Sequence, residues 1–199
     1  MKKRYLVDIF LLLPFLFIFT ACSTVSKTDI SEQAVKNAID SANNYCSSGQ
    51  YDLALEVYNA ALQSISDYRL IYNKALVLAY MGQYEEAALV CHTGFVLFDY
   101  ILAFKTAEAY YYELAGLLPK ACSTYLEILQ LNPYDSTTRG KLIELYKTQT
   151  QYSLALEQAN VLWEQDYKTS SNLSLIQELQ ELCAEKIPKG NSEEIPEGN

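Results

Sequence analysis

Apolar residues recur along most of the chain with the period of an amphipathic helix. One stripe runs through Leu53, Val57 and Ala61, then breaks and restarts through Tyr72 and Leu76. Stripes of this kind predict an all-α protein with one folded domain. The predicted helices cover residues 31–47, 50–65, 68–81, 84–97, 101–115, 118–131, 135–148, 151–166 and 171–186.

The chain also repeats itself, which indicates a protein made of stacked units. Four alanines at matching places lie 33, 34 and 34 residues apart, namely Ala54, Ala87, Ala121 and Ala155. Nine residues before them stand the bulky side chains Tyr45, Leu78, Tyr112 and Tyr146. The turn inside each unit is predicted at Gly49, Gly82, Gly116 and Thr150. A single helix pair cannot bury both of its faces, so the units must stack.

These spacings and residue types resemble the tetratricopeptide repeat (TPR), a helix-turn-helix unit. The resemblance implies a right-handed superhelix of about four TPR-like repeats over residues 31–167. Residues 168–186 would form a capping helix with Leu175, Leu179 and Leu182 on its apolar stripe. Residues 187–199 carry Pro and Gly among acids and are expected to form a disordered tail. The alternative, an unrelated α-bundle or coiled coil, does not explain the matched Ala, Tyr and Gly positions.

The start of the chain has the layout of an export signal. A positive stretch at residues 2–4 precedes 11 uninterrupted apolar residues, Ile9 to Phe19, and then Cys22. This resembles a bacterial lipoprotein signal, similar to the relaxed lipoboxes of spirochaetes, with Phe19 where Leu is usual. The resemblance implies a signal peptide at 1–21, acyl chains on Cys22 and a tether at 22–30. The alternative is an uncleaved signal anchor, although 11 apolar residues are short for a membrane span.

Charge and composition narrow the classes of partner and of chemistry. The net charge of −9 argues against nucleic acid and against direct attraction to anionic lipids, so membrane attachment would need Cys22. His92 is the only histidine, and the adjacent Cys91 points to another face of its helix. The sequence lacks a phosphate-binding glycine loop and known hydrolase motifs, so we expect no enzyme activity, metal or cofactor.

The four cysteines that follow Cys22 leave two possibilities open. They are Cys46, Cys91, Cys122 and Cys183. In an exported protein an even number of cysteines could form two disulfides, in one of three pairings. Cys91 and Cys122, however, take core positions of the repeat, where cysteine acts as a small buried apolar residue. Free thiols are therefore favoured over disulfides.

The TPR resemblance also implies a partner-binding groove lined by the first helix of each repeat. The implied groove residues are Lys36, Ile39, Asn43, Arg69, Tyr72, Asn73, Leu76, Tyr80, Thr106, Tyr110, Lys141, Glu144 and Lys147. Cationic ends and a tyrosine-rich middle suit a partly apolar peptide with acidic groups. The alternative is that these tyrosines are ordinary repeat packing.

One known variety of TPR site can be tested on the sequence. The carboxylate clamp of chaperone-binding TPRs uses two Asn and several basic residues, and Asn43 and Asn73 match its Asn positions. Ile39, Ala103 and Ala107 stand where its basic residues belong, so this clamp is not supported.

Together these features predict a lipid-anchored TPR scaffold that mediates protein-protein interaction in the bacterial cell envelope. Ser23 after Cys22 is not the Asp that retains lipoproteins at the inner membrane, so the expected location is the outer membrane, facing the periplasm. One alternative is a ligand-binding TPR component that assists a transporter. Another is a pilotin-like or barrel-assembly lipoprotein. The partner is an unknown envelope protein or peptide.

Overall fold

The computed structural model of the protein describes residues 27–165 and 167–185, and every regular element in these ranges is an α-helix. The predicted signal peptide, Cys22 and the predicted tail lie outside them. None of the helices described combines the length and the apolar character needed to cross a membrane. The helices are α1 (Lys27–Ser47), α2 (Tyr51–Leu62), α3 (Tyr68–Tyr80), α4 (Tyr84–Leu97), α5 (Ala103–Leu114), α6 (Leu118–Leu131), α7 (Ser136–Thr148), α8 (Tyr152–Glu164) and α9 (Ser170–Glu185).

Four tight turns join the helices into antiparallel pairs. Gly49, Gly82 and Gly116 have φ angles of 72°, 75° and 73°, and Thr150 takes the same left-handed conformation with φ 56°. In the second pair the amide of Gly82 donates to the Ala79 carbonyl at 3.0 Å, and the next amide donates to the Leu78 carbonyl at 2.9 Å. The other three turns repeat these two bonds, which satisfy the carbonyls left over at a helix end. The turn positions predicted from the repeat are confirmed.

The small residues of the repeat allow the two helices of each pair to approach closely. All four key alanines, Ala54, Ala87, Ala121 and Ala155, are 0% exposed. One helical turn later the second helices bury Tyr58, Cys91, Tyr125 and Ala159. Each helix packs against the helix before it and the helix after it, and α1 also contacts α3. The predicted all-α stack of helix pairs is confirmed.

Buried apolar residues of successive helix pairs pack together, so the pairs do not have separate cores. Helix α3 places Leu70 and Val77 among buried residues of α1 and α2, and places Ile71 and Leu78 in a core that continues to α9. Because α3 divides its apolar surface in this way, the first pair and the second depend on each other. At the far end, Leu179 of α9 is fully buried, as the predicted capping stripe requires.

Most of the predicted helix boundaries differ from the structure by one to four residues, and the starts of α1 and α5 are two examples. Helix α1 begins at Lys27, so the last four residues of the predicted tether 22–30 are helical. Asp29 lies in this first turn, where a negative charge is favoured by the helix dipole. Helix α5 begins at Ala103 and not at residue 101, because the amide of Ile101 donates to the Phe98 carbonyl in the preceding loop at 2.9 Å.

Candidate functional site

The first helices of successive pairs lie side by side, and we call the surface formed by α1, α3, α5 and α7 the groove. Two hollows open on it. The first, of about 450 Å³, lies between α3 and α5 and is lined by Tyr72, Ala103, Thr106, Ala107, Tyr110 and Tyr111. The second, of about 460 Å³, lies between α5 and α7 and is lined by Glu113, Thr137, Gly140, Lys141, Glu144, Leu145 and Thr148.

The middle of the groove presents tyrosine rings to solvent. Tyr72 is 39% exposed, Tyr80 61% and Tyr110 46%. Each ring also rests on a second aromatic ring, with centroids 5.8 Å apart for Tyr72 and Phe104 and 6.1 Å apart for Tyr80 and Tyr51. These tyrosines therefore contribute to packing at one face and leave the other face available to a ligand.

Arg69, a predicted cationic residue of the groove, is held by two acids. Its guanidinium donates two bonds of 2.7 Å to the Glu32 carboxylate of α1. It donates a further bond of 3.0 Å from Nε to Asp67, whose side chain also accepts the Arg69 amide at the start of α3. These hydrogen bonds from Arg69 lower the pKa of both Glu32 and Asp67 from their ordinary values. The charge of Arg69 is therefore neutralised within the chain.

The two cations at the other end of the groove are paired as well. Lys141 lies 3.9 Å from Glu113 of α5, and Lys147 lies 3.1 Å from Glu178 of α9. Lys36 is exposed and forms no ion pair within the residues described. Three of the four predicted cations thus pair with an acid on another helix. The binding of acidic groups at the ends of the groove stays a prediction.

The remaining predicted groove residues are placed as follows. Asn43 is exposed on α1, and Leu76 and Ile39 are half-buried. The side-chain amide of Asn73 donates to the Arg69 carbonyl at 2.8 Å, so part of its bonding capacity is used within α3. The structure brings Tyr72, Thr106 and Tyr110 together around the first hollow.

A buried group of charges on α5 was missed from the sequence. Lys105 is 5% exposed and Glu108 3%, and Lys105 Nζ lies 3.2 Å from Glu108 Oε2. Lys105 also donates to Glu127 of α6, and Glu108 Oε1 lies 3.0 Å from Nδ1 of the exposed His92. Burial opposes the charge on Lys105, but the two carboxylates outweigh it and raise its pKa. This face of α5 lies between α4 and α6.

A signal for these buried charges exists in the repeat alignment. Lys105 and Arg139 fall 34 residues apart, in register with Ile71, which is buried. Arg139 is itself 6% exposed and donates to Gln158 and to the Pro133 carbonyl. The positions are therefore core positions that carry cations, which a helix-surface pattern alone does not reveal.

The cysteines show no arrangement that favours chemistry. Cys46, Cys91, Cys122 and Cys183 are free thiols. Burial, and secondarily the charge of Glu108, raises the pKa of Cys91 to about 12, so its thiol stays protonated at neutral pH. Within the ranges described, no group of three or more His, Cys, Asp or Glu residues is placed to hold a metal ion.

A smaller apolar pocket opens away from the groove, where α2, α3 and α4 meet. Its volume is about 290 Å³. It is lined by Leu62, Ile65, Ser66, Ile71, Lys74, Val90, Thr93 and Leu97. The combination of aliphatic walls with one lysine suits a small amphiphile with a negative group.

Comparison with solved structures identifies the fold. A TPR protein from Parabacteroides merdae superimposes with a TM-score of 0.60 and 18% identity, over 77% of this chain and 61% of that chain. The MamA protein gives 0.59 and 13%, over 77% and 84%. YrrB, a TPR protein with an unusual peptide-binding site, gives 0.52 and 16%, over 72% and 73%. No protein-family sequence model matches the chain, and no curated protein sequence does.

These similarities bear on architecture only. Sequence identities this low establish a shared fold without establishing a shared partner. The chain spans about three fifths of the Parabacteroides protein, so that protein's complete role is not transferable either. The predicted TPR architecture is confirmed, and the predicted groove residues stay predictions.

Proposed function

Since the chain has the TPR fold, we propose that it is a non-catalytic scaffold whose groove binds a segment of a partner protein. The observation that carries this proposal is the hollow of about 450 Å³ between α3 and α5, flanked by the exposed rings of Tyr72 and Tyr110. Exposed aromatic side chains held on rigid helices contribute much of the binding energy in protein interfaces, because little conformational entropy is lost on binding.

The charges elsewhere in the groove indicate the chemistry of the segment. Arg69, Lys141 and Lys147 are matched by acids of the same chain, so a strongly acidic peptide would have to displace those acids. The hydroxyls of Tyr72, Thr106 and Tyr110 offer hydrogen bonds beside apolar ring faces. The groove therefore favours a segment with one or two bulky apolar side chains and little net charge.

Two pairs of substitutions distinguish partner binding in the groove from partner binding on the second helices. Tyr72→Ala with Tyr110→Ala removes the exposed rings of the groove, and Leu89→Ala with Leu126→Ala removes two exposed apolar side chains from the second helices α4 and α6. Affinity capture from detergent-solubilised envelope, quantified by mass spectrometry, should lose specific partners only with the first pair. An identical partner list for wild type and the tyrosine pair would exclude the groove. Circular dichroism and thermal unfolding of both pairs check that the fold persists.

The location of the scaffold is a second part of the proposal. The positive residues 2–4, the apolar stretch Ile9 to Phe19 and the position of Cys22 support lipidation at Cys22 and residence in the cell envelope, at the outer membrane. The mass of the mature protein tests this directly. Acyl chains on an N-terminal Cys22 are expected, and an unmodified Met1 terminus would contradict lipidation.

A role as a ligand-binding component of a transporter is the second candidate, and the pocket beside Lys74 is the feature that favours it. Its 290 Å³ lie at the lower limit for small-molecule sites. A ligand that binds the folded state must raise its stability by mass action. A thermal-shift screen of small anionic amphiphiles should show a rise in melting temperature that Lys74→Ala abolishes. If no compound raises the melting temperature, the groove remains the only supported site.

A further inference from the structure

Each of the four connections between successive helix pairs carries an exposed tyrosine, which lies in the loop in three cases and at the first residue of α3 in the case of Tyr68. Tyr68 is 42% exposed, Tyr100 77%, Tyr134 72% and Tyr167 40%. Exposed aliphatic side chains accompany them at the ends of α4 and α6, namely Val96, Leu97 and Leu131. The peptide groove accounts for none of these residues, because they lie on loops and helix ends and not on its helix faces.

These residues lie along one edge of the stack. Antiparallel helices place every loop between pairs at the same edge, and ring contacts of 6.2 Å between Tyr68 and Phe98 and 6.4 Å between Phe98 and Tyr100 join the first two loops. The Pro133 carbonyl accepts Gln165 Nε2 at 2.9 Å, which joins the last two. We call the row formed by Tyr68, Val96, Leu97, Tyr100, Leu131, Tyr134 and Tyr167 the loop edge.

The opposite edge carries the tight turns with left-handed backbone, and the residue that follows the turn residue is Gln50, Gln83, Leu117 or Gln151. Exposed apolar side chains occur there too, since Tyr80 is 61% and Leu114 42% exposed at the ends of α3 and α5. The loop edge differs in that an exposed tyrosine recurs in all four of its connections.

The chain enters the stack at the loop edge. Helix α1 runs antiparallel to α2, so its first turns lie beside the loop that precedes α3, where Glu32 pairs with Arg69. Ile30, in these first turns, is 60% exposed. Four residues separate Cys22 from Lys27, and a fully extended chain over these five steps reaches at most about 18 Å. A lipid on Cys22 would therefore hold the loop edge, and not the turn edge, close to the membrane.

We propose that the loop edge contacts the interfacial region of the membrane, a proposal that rests on the anchor at Cys22 put forward above. Tyrosine prefers this region because its ring enters the apolar layer while its hydroxyl stays among headgroups and water. Leu97 and Leu131 add apolar area beside the rings. The edge thereby fixes the orientation of an already anchored protein, with the helices running away from the membrane and the groove open alongside it.

The charges of the edge indicate the kind of lipid surface that it fits. Arg69 is paired with Glu32 and Asp67, and Arg139 is only 6% exposed, so neither offers a free positive charge to anionic headgroups. Asp99, between Phe98 and Tyr100, is exposed and adds a negative charge to the edge. The contact is therefore expected on neutral phosphatidylcholine and is expected to persist at high salt.

Enzymatic iodination of tyrosine tests how the protein is oriented on the membrane without requiring an amino-acid substitution. The full chain, reconstituted into phosphatidylcholine vesicles, is exposed to lactoperoxidase, which does not cross the membrane, and iodination is mapped by mass spectrometry. Tyr80, 61% exposed and away from the loop edge, is the internal control. Without membrane contact, Tyr100 and Tyr134 should react at least as fast as Tyr80, since they are more exposed. The proposal predicts that they react several-fold more slowly.

The outcomes separate this inference from the proposals on which it rests. Equal or faster iodination of Tyr100 and Tyr134 on vesicles would overturn the edge contact even if the mass of the sample shows acylated Cys22. Slow iodination in native envelope but not on vesicles would assign the edge to a protein partner and also overturn it. If Tyr100 and Tyr134 react slowly on vesicles but the protein has an unmodified Met1, the lipidation proposal is wrong and the edge contact is still supported. The apolar stretch Ile9 to Phe19 would then serve as the anchor.

Discussion

The ring of Phe104 occupies the space that a Cβ atom on Gly94 would fill. Gly94 lies in α4 and is fully surrounded, and Phe104 lies in α5 and is 0% exposed. The same ring also packs against Tyr72 in the groove, with ring centroids 5.8 Å apart. The missing side chain at Gly94 thus allows α4 and α5 to pack closely. Through Phe104 it also affects the position of Tyr72, which is a proposed ligand contact.

Gly94→Ala is expected to lower the free energy of unfolding. The added methyl overlaps three atoms of the Phe104 ring, and overpacking of this kind costs about 1–3 kcal/mol. Urea denaturation measures the change. Gly140→Ala is the matched control, because a Cβ there meets nothing within 4 Å and alanine favours the helix by about 1 kcal/mol. Stabilisation by both substitutions would contradict the close approach of Gly94 and Phe104.

Thr150→Gly is expected to stabilise the protein. Thr150 holds the left-handed conformation with φ 56° that glycine supplies in the other three turns. Relief of the clash between its Cβ and the backbone is worth about 1–2 kcal/mol. The converse substitution, Gly82→Ala at φ 75°, should destabilise by a similar amount. Thermal unfolding measures the melting temperature of both variants. If both substitutions shifted it equally in the same direction, the turns at Thr150 and Gly82 would not be equivalent.

Lys105→Ala is expected to be among the most destabilising single substitutions in α5. It leaves the buried carboxylate of Glu108 without its ammonium partner and with the exposed imidazole of His92 as its remaining polar neighbour, and loss of one partner from a buried pair costs about 3–5 kcal/mol. The control is Lys120→Ala, which removes an exposed ion pair with Glu85 and should change stability little. Similar losses of unfolding free energy in the two variants would show that burial of Lys105 is not important.

Stability is expected to fall in alkaline solution. Burial, with a smaller contribution from Cys46, raises the pKa of Tyr58 to about 12, and burial likewise raises the pKa of Cys91 to about 12. The unfolded chain loses these protons near their ordinary values, whereas the folded chain keeps them. The stabilisation is therefore complete below about pH 8 and is lost progressively as the pH rises to about 12.

Unfolding midpoints measured between pH 8 and pH 12 test this expectation. Tyr58→Phe removes one of the buried groups whose pKa is raised without removing its ring, so the decline should become shallower. An unchanged slope in the variant would mean that Tyr58 releases its proton as easily in the folded chain as in the unfolded one.

The architecture could be predicted from the sequence because local chemistry determines most of it. The spacing of Ala54 and its counterparts locates the helix pairs, and the turn residues at Gly49, Gly82, Gly116 and Thr150 all have the backbone conformation that their places in the repeat indicate. Such features depend on neighbours within a few residues. The start of α1 was predicted four residues too late, because capping and dipole effects at a helix start are worth only a few tenths of a kcal/mol to about 1 kcal/mol.

The charge pattern of the groove could not be predicted in the same way. Arg69 meets Glu32 from 37 residues away, and Lys147 meets Glu178 from the capping helix. These contacts depend on how neighbouring repeats are rotated against each other, which the sequence period does not specify. The burial of Lys105 and Glu108, which was not predicted from the sequence, depends likewise on the stacking of α4, α5 and α6.

Site-specific photocrosslinking in living cells tests the central claim, a groove that binds a partner segment, most directly. A benzophenone amino acid is placed at Tyr110, beside the first hollow, and in a separate strain at Leu89, which is 50% exposed on α4. We expect a discrete protein adduct from position 110 that disappears when Tyr72→Ala is added, and no such adduct from position 89. The same adducts from both positions, or an adduct at position 110 that is indifferent to Tyr72→Ala, would contradict binding in the groove.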